Sequence, residues 1–138
     1  EFNAAFNPEA VVKVTDVLLA SHENTAQIID ARPAARFNAE VDEPRPGLRR
    51  GHIPGALNVP WTELVHEGEL KTTDELDAIF FGRGVSYDKP IIVSCGSGVT
   101  AAVVLLALAT LDVPNVKLYD GAWSEWGARA DLPVEPVK

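Results

Sequence analysis

Short apolar segments alternate with helix-like segments along the whole of this 138-residue chain. The apolar segments at residues 27–30, 56–59, 90–94 and 116–120 predict buried strands, because each is short and bounded by turn-forming or polar residues. Helical segments are predicted through 17–20 with Thr15 or Asp16 as the cap, at 61–65, from 73 to the glycines at 82 and 84, at 98–110 and from 123 to 126. This alternation predicts an α/β domain whose parallel sheet is covered by helices on both faces.

Two stretches depart from the simple alternation. Residues 91–111 form a run of 21 uncharged residues, but glycines and serines in its middle favour a buried strand, a tight loop and a buried helix over a membrane span. Residues 38–55 are rich in proline, glycine and charge, which predicts a long irregular loop. Long loops of this kind in compact domains are commonly functional.

Composition and charge restrict the class of protein. A hydrophobic content of 46% over this length fits one globular domain, residues 1–138. A formal charge of −8 argues against partners such as nucleic acid or an anionic membrane and favours a small-molecule or protein partner. The only cysteine, Cys95, fits a reducing, cytoplasmic compartment, and the first residues lack the pattern of a signal peptide. The missing initiator methionine suggests a processed chain or an excised piece.

The arginines are concentrated in one part of the chain. Five of the seven lie between residues 32 and 50: Arg32, Arg36, Arg45, Arg49 and Arg50. Such a cluster is typical of an anion site, but it also fits a solvated basic loop paired with Glu40, Asp42 and Glu43. Asp30 is expected to order the local backbone or to pair with Arg32 or another basic group.

Cys95 lies between a predicted buried strand and a predicted buried helix. Gly96 and Gly98 allow a tight turn whose backbone amides can point inward, and the following helix start adds further donors. This arrangement favours a negatively charged sulfur, and the hydroxyls of Ser97 and Thr100 can donate to the loop or to a substrate. The alternatives are a small buried apolar residue for Cys95, a turn residue for Ser97 and helix polarity for Thr100.

The segment 95–101, Cys-Gly-Ser-Gly-Val-Thr-Ala, resembles the active-site loop of the rhodanese superfamily, in the form typical of 3-mercaptopyruvate sulfurtransferases. Three other segments agree with this: 30–32 resembles the strand end ahead of the substrate loop, 51–58 the first family signature and 119–123 the second. The resemblance implies the rhodanese fold with about five parallel strands and extends over nearly the whole chain.

The same resemblance implies a site and a reaction. Cys95 would take sulfur as a persulfide, Ser97 would face the donor's thiol or ketone, and Arg36 and Arg45 would hold its carboxylate. The remaining loop residues expected to contact substrate are Gly96, Gly98, Val99 and Thr100. Neutral residues after the cysteine favour mercaptopyruvate over thiosulfate as donor. No metal or cofactor is expected; the acceptor would be a small thiol, a thioredoxin-like protein or cyanide.

Tandem domains are usual in these sulfurtransferases, so the chain is expected to be the second, catalytic domain, separated from an N-terminal rhodanese domain. Two other functions remain open. A cysteine-based phosphatase would need an arginine at the sixth position after the cysteine, where this chain has Ala101. A non-catalytic rhodanese-like module commonly lacks the cysteine that this chain retains.

Overall fold

A sheet of five parallel strands forms the centre of the computed structural model, which describes residues 11–95 and 100–136. The strands of this sheet are β1 Val11–Val12, β2 Gln27–Asp30, β3 Leu57–Asn58, β6 Ile91–Ser94 and β7 Val116–Tyr119. A separate antiparallel hairpin consists of β4 Val65–His66 and β5 Glu69–Leu70. The helices are α1 Val14–Glu23, α2 Ala34–Phe37, α3 Thr73–Gly82, α4 Ala101–Thr110 and α5 Ala122–Trp126, with a 3-10 turn at Trp61–Leu64.

The strand order is β1-β7-β6-β2-β3, which places β6 in the middle of the sheet. All four neighbouring pairs in this order are parallel. The predicted α/β class and the parallel sheet of about five strands are therefore confirmed. Because the strands are parallel, the carboxyl ends of β2 and β6 lie side by side at one edge of the sheet.

Alternating side chains divide the core into two layers. Ile29, Ile91 and Val93 lie on the face covered by α3 and α4, whereas Ile28 and Ile92 lie on the face covered by α1 and α5. This division follows from the two-residue period of a strand, which sends successive side chains to opposite faces. The prediction of helices on both faces is confirmed.

Several element boundaries differ from the predictions. Helix α1 begins at Val14 with Lys13 as its cap, so the predicted caps Thr15 and Asp16 lie inside it. Asp16 instead accepts a hydrogen bond from the backbone N–H of Lys13 at 3.0 Å, which satisfies a donor that the helix cannot pair internally. Strand β1, helix α2 and the β4–β5 hairpin are too short to give a periodic signal and were not predicted.

Helix α4 is only half buried, so the prediction that it is buried all round is wrong. Val104, Ala107 and Leu108 face the core, but Leu106 is 37% exposed. The reason is that α4 covers one face of the sheet and no further layer of the described chain covers its outer side. The predicted start at Gly98 lies outside the described residues. Within the described ranges, no helix has the length and apolar character required to cross a bilayer.

The predicted irregular loop before β3 is confirmed, and its end is held by the C-terminal segment. His52 and Glu135 exchange two backbone hydrogen bonds, of 2.6 Å and 2.9 Å. Gly51 has a φ of +111°, and a Cβ added there would lie 2.4 Å from the carbonyl oxygen of Glu135. The loop therefore returns to the sheet through a position that only glycine fits.

Replacing Gly51 with alanine should lower the free energy of unfolding by about 2 kcal/mol, because the new methyl group adds a steric overlap to an unfavourable φ. Gly47→Ala is the matched control, since Gly47 also has a positive φ but nothing lies within 4 Å of the added Cβ. Urea unfolding of the two variants measures the difference. Equal losses would show that the approach of Glu135 is not what requires glycine at position 51.

Candidate functional site

Cys95 directly follows β6, at the carboxyl edge of the central strand. Ser94 is the register partner of Asp30, and the backbone N–H of Ala31 donates to the carbonyl of Ser94 at 2.8 Å. The sequence therefore places Cys95 beside the segment that follows β2, as expected for the ligand edge of a parallel sheet. The exposed fraction of Cys95 is 0%, and it packs in the core layer with Val93 and Ala101.

The glycine loop itself lies outside the described residues. This applies to Gly96, Ser97, Gly98 and Val99, so the inward-facing amides and the role of the Ser97 hydroxyl stay predictions. Thr100 is partly buried at the start of α4, where its carbonyl accepts from the N–H of Val103 at 3.2 Å. The Thr100 side chain makes no capping hydrogen bond to the helix.

Four charged residues at the end of β2 and in the segment that follows it form a buried ion network: Asp30, Arg32, Glu43 and Arg36. Arg32, with a side chain only 1% exposed, donates from Nε to both oxygens of Asp30, at 3.0 and 3.1 Å, and from Nη2 to Oδ2 at 2.7 Å. Its Nη1 donates to Glu43 at 3.0 Å and its Nη2 to the carbonyl of Gly51 at 2.6 Å. These bonds compensate the cost of burying the charge and fix the loop 38–55 to the end of β2.

Glu43 is the shared acceptor of this buried ion network. Its side chain is 0% exposed, and one oxygen accepts from Arg32 while both accept from Arg36. The Arg36 bonds run from Nη2 at 2.8 Å and from Nε at 3.3 Å. Glu43 therefore holds one edge of the Arg36 guanidinium in place.

Trp123 connects the buried ion network to the backbone of Cys95. Its ring lies under the guanidinium of Arg32, with the carbon Cζ 4.5 Å from the ring centroid. Its backbone N–H donates to the carbonyl of Cys95 at 2.7 Å, and its indole N–H donates to the carbonyl of Arg49 at 2.9 Å. The nucleophile candidate and the arginine segment are thus parts of one packed unit.

The turn that carries Trp123 is itself held rigidly. Tyr119 donates its hydroxyl to Glu125 at 2.6 Å, and burial together with this carboxylate raises the pKa of Tyr119 far above its ordinary value. The hydroxyl therefore stays a donor at any physiological pH. Ala122 has a φ of +56°, a conformation that costs an alanine about 1 kcal/mol, which the neighbouring Trp123–Cys95 hydrogen bond helps to offset.

The two predicted donor-binding arginines are placed differently. Arg36 is 23% exposed and already bound to Glu43 through one edge. Arg45 is exposed and makes no hydrogen bond or ion pair with the residues that the structure describes. Their joint action on one carboxylate is not tested by this geometry and stays a prediction.

The arginines of the cluster are mostly paired inside the chain, and the interpretation of the cluster as an anion site stays a prediction. Arg50 forms an exposed ion pair with Asp42 at 2.8 Å, as a solvated basic loop would. Arg49 donates to four backbone carbonyls of the C-terminal segment, which gives it a structural role. Arg32 and Arg36 are paired, and the pairing of Asp30 with Arg32 is confirmed.

Sequence reasoning missed the burial of Glu43. The available signal was an acidic residue in a loop that is otherwise rich in arginine and proline, but charge counting treated it as one of three surface acids. His52 is structural, with its ring stacked on Phe37 and its Nδ1 2.7 Å from the Phe37 carbonyl. Among residues 11–95 and 100–136, no group of three or more His, Cys, Asp or Glu side chains is placed to hold a metal ion.

Comparison with known proteins agrees with this geometry. The model of the rhodanese-like domain matches residues 13–129. The chain is 99% identical over its full length to a 3-mercaptopyruvate sulfurtransferase of Escherichia coli (strain K12), of which it covers 49%. It is 40% identical to the mitochondrial thiosulfate/3-mercaptopyruvate sulfurtransferase 1 of Arabidopsis thaliana, covering 99% of this chain and 36% of the relative.

A solved structure gives the same result. The crystal structure of SseA from Escherichia coli, described as showing the rhodanese fold of 3-mercaptopyruvate sulfotransferases, superposes on this chain with a TM-score of 0.75 at 96% sequence identity. The match covers 91% of this chain and 46% of that one. The chain thus spans about half the length of the curated relatives it matches.

Proposed function

This chain belongs to the family of rhodanese-like domains, and we propose that it transfers sulfur from 3-mercaptopyruvate through a persulfide on Cys95. The observation that carries the proposal is the position of Cys95 at the end of the central strand, hydrogen-bonded through its carbonyl to Trp123 and adjacent to the arginine segment. The near-identical relative bears the name of this activity. Because the chain spans only half of that relative, the activity of the whole protein is proposed here and not assigned.

The reaction has two steps. In the first, the Cys95 thiolate attacks the thiol sulfur of mercaptopyruvate, the carbon–sulfur bond breaks, and its electron pair forms the enolate of pyruvate. Protonation of the enolate releases pyruvate and leaves the Cys95 persulfide. In the second, an acceptor thiolate attacks the outer sulfur and regenerates the Cys95 thiolate. No electron acceptor, metal or cofactor is needed for this balance.

The residues around Cys95 have separate roles in the proposal. Arg36 and Arg45 bind the donor carboxylate, with Arg36 using the nitrogen that Glu43 does not engage. Gly96, Gly98 and Val99 supply backbone donors, and Ser97 and Thr100 supply hydroxyls. Cys95 itself is wholly buried in the core layer that contains Val93 and Ala101.

The chain is proposed as the catalytic half, a single domain over 1–138, of a two-domain protein whose other half would be the missing N-terminal rhodanese domain. The acceptor is a small thiol or a thioredoxin-like protein, for which cyanide can substitute. This chemistry requires a reduced cysteine and therefore suits the cytoplasm.

Arg36→Ala should raise the half-saturating concentration of mercaptopyruvate about tenfold or more, because a hydrogen bond between charged groups is lost. The experiment measures pyruvate release against mercaptopyruvate concentration for the wild-type chain and the variant. Arg50→Ala is the control, since it removes an exposed arginine of the same segment that pairs with Asp42. A half-saturating concentration that changes equally in both variants would contradict the role given to Arg36.

Two specific observations favour other functions. The Arabidopsis relative is named for thiosulfate as well as mercaptopyruvate, so thiosulfate is the alternative donor. The complete burial of Cys95 favours a non-catalytic rhodanese-like module that binds a partner. Pyruvate release without thiosulfate turnover excludes the first alternative, and either activity excludes the second.

A further inference from the structure

Glu43 has no assigned role in the proposed chemistry, yet it is the most buried carboxylate of the loop 38–55. Its side chain is 0% exposed and bound by two arginines. A buried carboxylate that engages two guanidinium groups changes the charge presented to any anion that binds nearby. The charge balance around it therefore bears on which anions the loop selects.

The charges of the buried ion network cancel. Asp30 and Glu43 carry two negative charges, and Arg32 and Arg36 carry two positive charges. All three guanidinium nitrogens of Arg32 donate to acceptors inside the protein, and Arg36 donates from two of its three nitrogens to Glu43. A ligand at Arg36 thus meets hydrogen-bond donors whose positive charge is already offset.

The other arginines of the cluster are placed differently. Arg50 is paired with Asp42. Arg49 donates to neutral backbone carbonyls of the C-terminal segment, which leave its positive charge in place. Arg45 follows Glu43 by two residues and has no partner among the described residues. Glu43 therefore lowers by one the positive charge that an anion at Arg36 would meet.

We propose that Glu43 is a specificity-determining residue whose negative charge lowers the net positive charge at the Arg36 anion site and so favours a monocarboxylate over a dianion. The proposal rests on the proposed function, because it explains why a donor with one carboxylate would be selected over thiosulfate. Removal of the Glu43 charge adds one net positive charge at this site, and that charge attracts a dianion twice as strongly as a monoanion at the same distance.

The test is a binding experiment that needs no sulfur transfer. Pyruvate serves as the monocarboxylate probe and sulfate as the dianion probe, with affinities measured by tryptophan fluorescence at constant ionic strength. Glu43→Gln should increase the preference for sulfate over pyruvate about tenfold, as expected for one added charge close to the ligand.

Two matched controls separate charge from position. Glu43→Asp keeps the charge and should leave the preference within about twofold of the wild type, even where its shorter reach weakens both affinities. Asp42→Asn removes a carboxylate from the same loop, but Asp42 is exposed and pairs with Arg50, so solvent screens its effect. The proposal is overturned if either control changes the preference for sulfate over pyruvate as much as Glu43→Gln does, or if Glu43→Gln does not change that preference.

A further variant decides the question if Glu43→Gln does not fold. Arg45→Gln alters an exposed residue and should weaken the binding of sulfate more than that of pyruvate, because it removes one positive charge. Unchanged binding of both anions, or no binding of either by the wild type, overturns the proposal. If the anion preferences shift as expected but the wild-type chain gains no sulfur from mercaptopyruvate, the proposed function is refuted and the role of Glu43 is kept. If the chain gains sulfur but the preferences do not shift, only the role of Glu43 is refuted.

Discussion

Cys95→Ser should lower pyruvate release from mercaptopyruvate by at least about 10³-fold, because the serine hydroxyl cannot attack sulfur or hold a persulfide. The side chain is fully buried and the change replaces one atom, so the fold should be retained. The measurement is turnover at saturating mercaptopyruvate with a small thiol as acceptor. The thermal unfolding midpoint of the variant serves as the control for folding.

Residual turnover close to that of the wild type would place the nucleophile elsewhere. These 138 residues contain no second cysteine, so such a result would exclude persulfide chemistry on this chain. Turnover of an aryl phosphate that Cys95→Ser abolishes would instead revive the phosphatase alternative.

Arg32→Met should lower the free energy of unfolding by about 3–5 kcal/mol, the typical cost of removing one partner from a buried ion pair. The change leaves Asp30 and Glu43 buried without their shared cation. It also removes the guanidinium that lies over Trp123. Urea unfolding followed by circular dichroism measures the loss.

Arg50→Met is the matched control for this experiment. Arg50 pairs with Asp42 at the surface, where an ion pair contributes about 0–1 kcal/mol. Equal destabilisation by the two substitutions would mean that the buried ion network does not hold the loop 38–55 to the sheet. A large loss in Arg32→Met alone supports the account of how that loop is positioned.

The architecture could be predicted because its central strands are short apolar runs bounded by turn-forming or polar residues. The structure has β2, β6 and β7 within one or two residues of the predicted ends. Strand β1 has two residues and pairs only with the edge of β7, so local sequence carries too little information to define it. The predicted start of α1 differs from the structure because Asp16 is the third residue of the helix and accepts a hydrogen bond from the cap residue Lys13, whereas the prediction made Thr15 or Asp16 the cap.

The position of Cys95 could also be predicted, because a residue that directly follows a strand of a parallel sheet lies at the carboxyl edge, where such sheets bind ligands. The pairing of charges in the buried ion network could not be predicted. Arg32, Arg36 and Arg45 look alike in the sequence, but the fold makes the first fully buried, the second partly engaged and the third exposed. That difference depends on Glu43 folding back onto Arg32 across eleven residues, and no local pattern specifies such a contact.

The central claim is that sulfur is held covalently at position 95. The most direct measurement is the intact mass of the wild-type chain after exposure to mercaptopyruvate, followed by peptide mapping. The account predicts a gain of about 32 Da at Cys95 that a small thiol or cyanide removes. A chain that releases pyruvate without this gain, or that gains no sulfur at all, would contradict it.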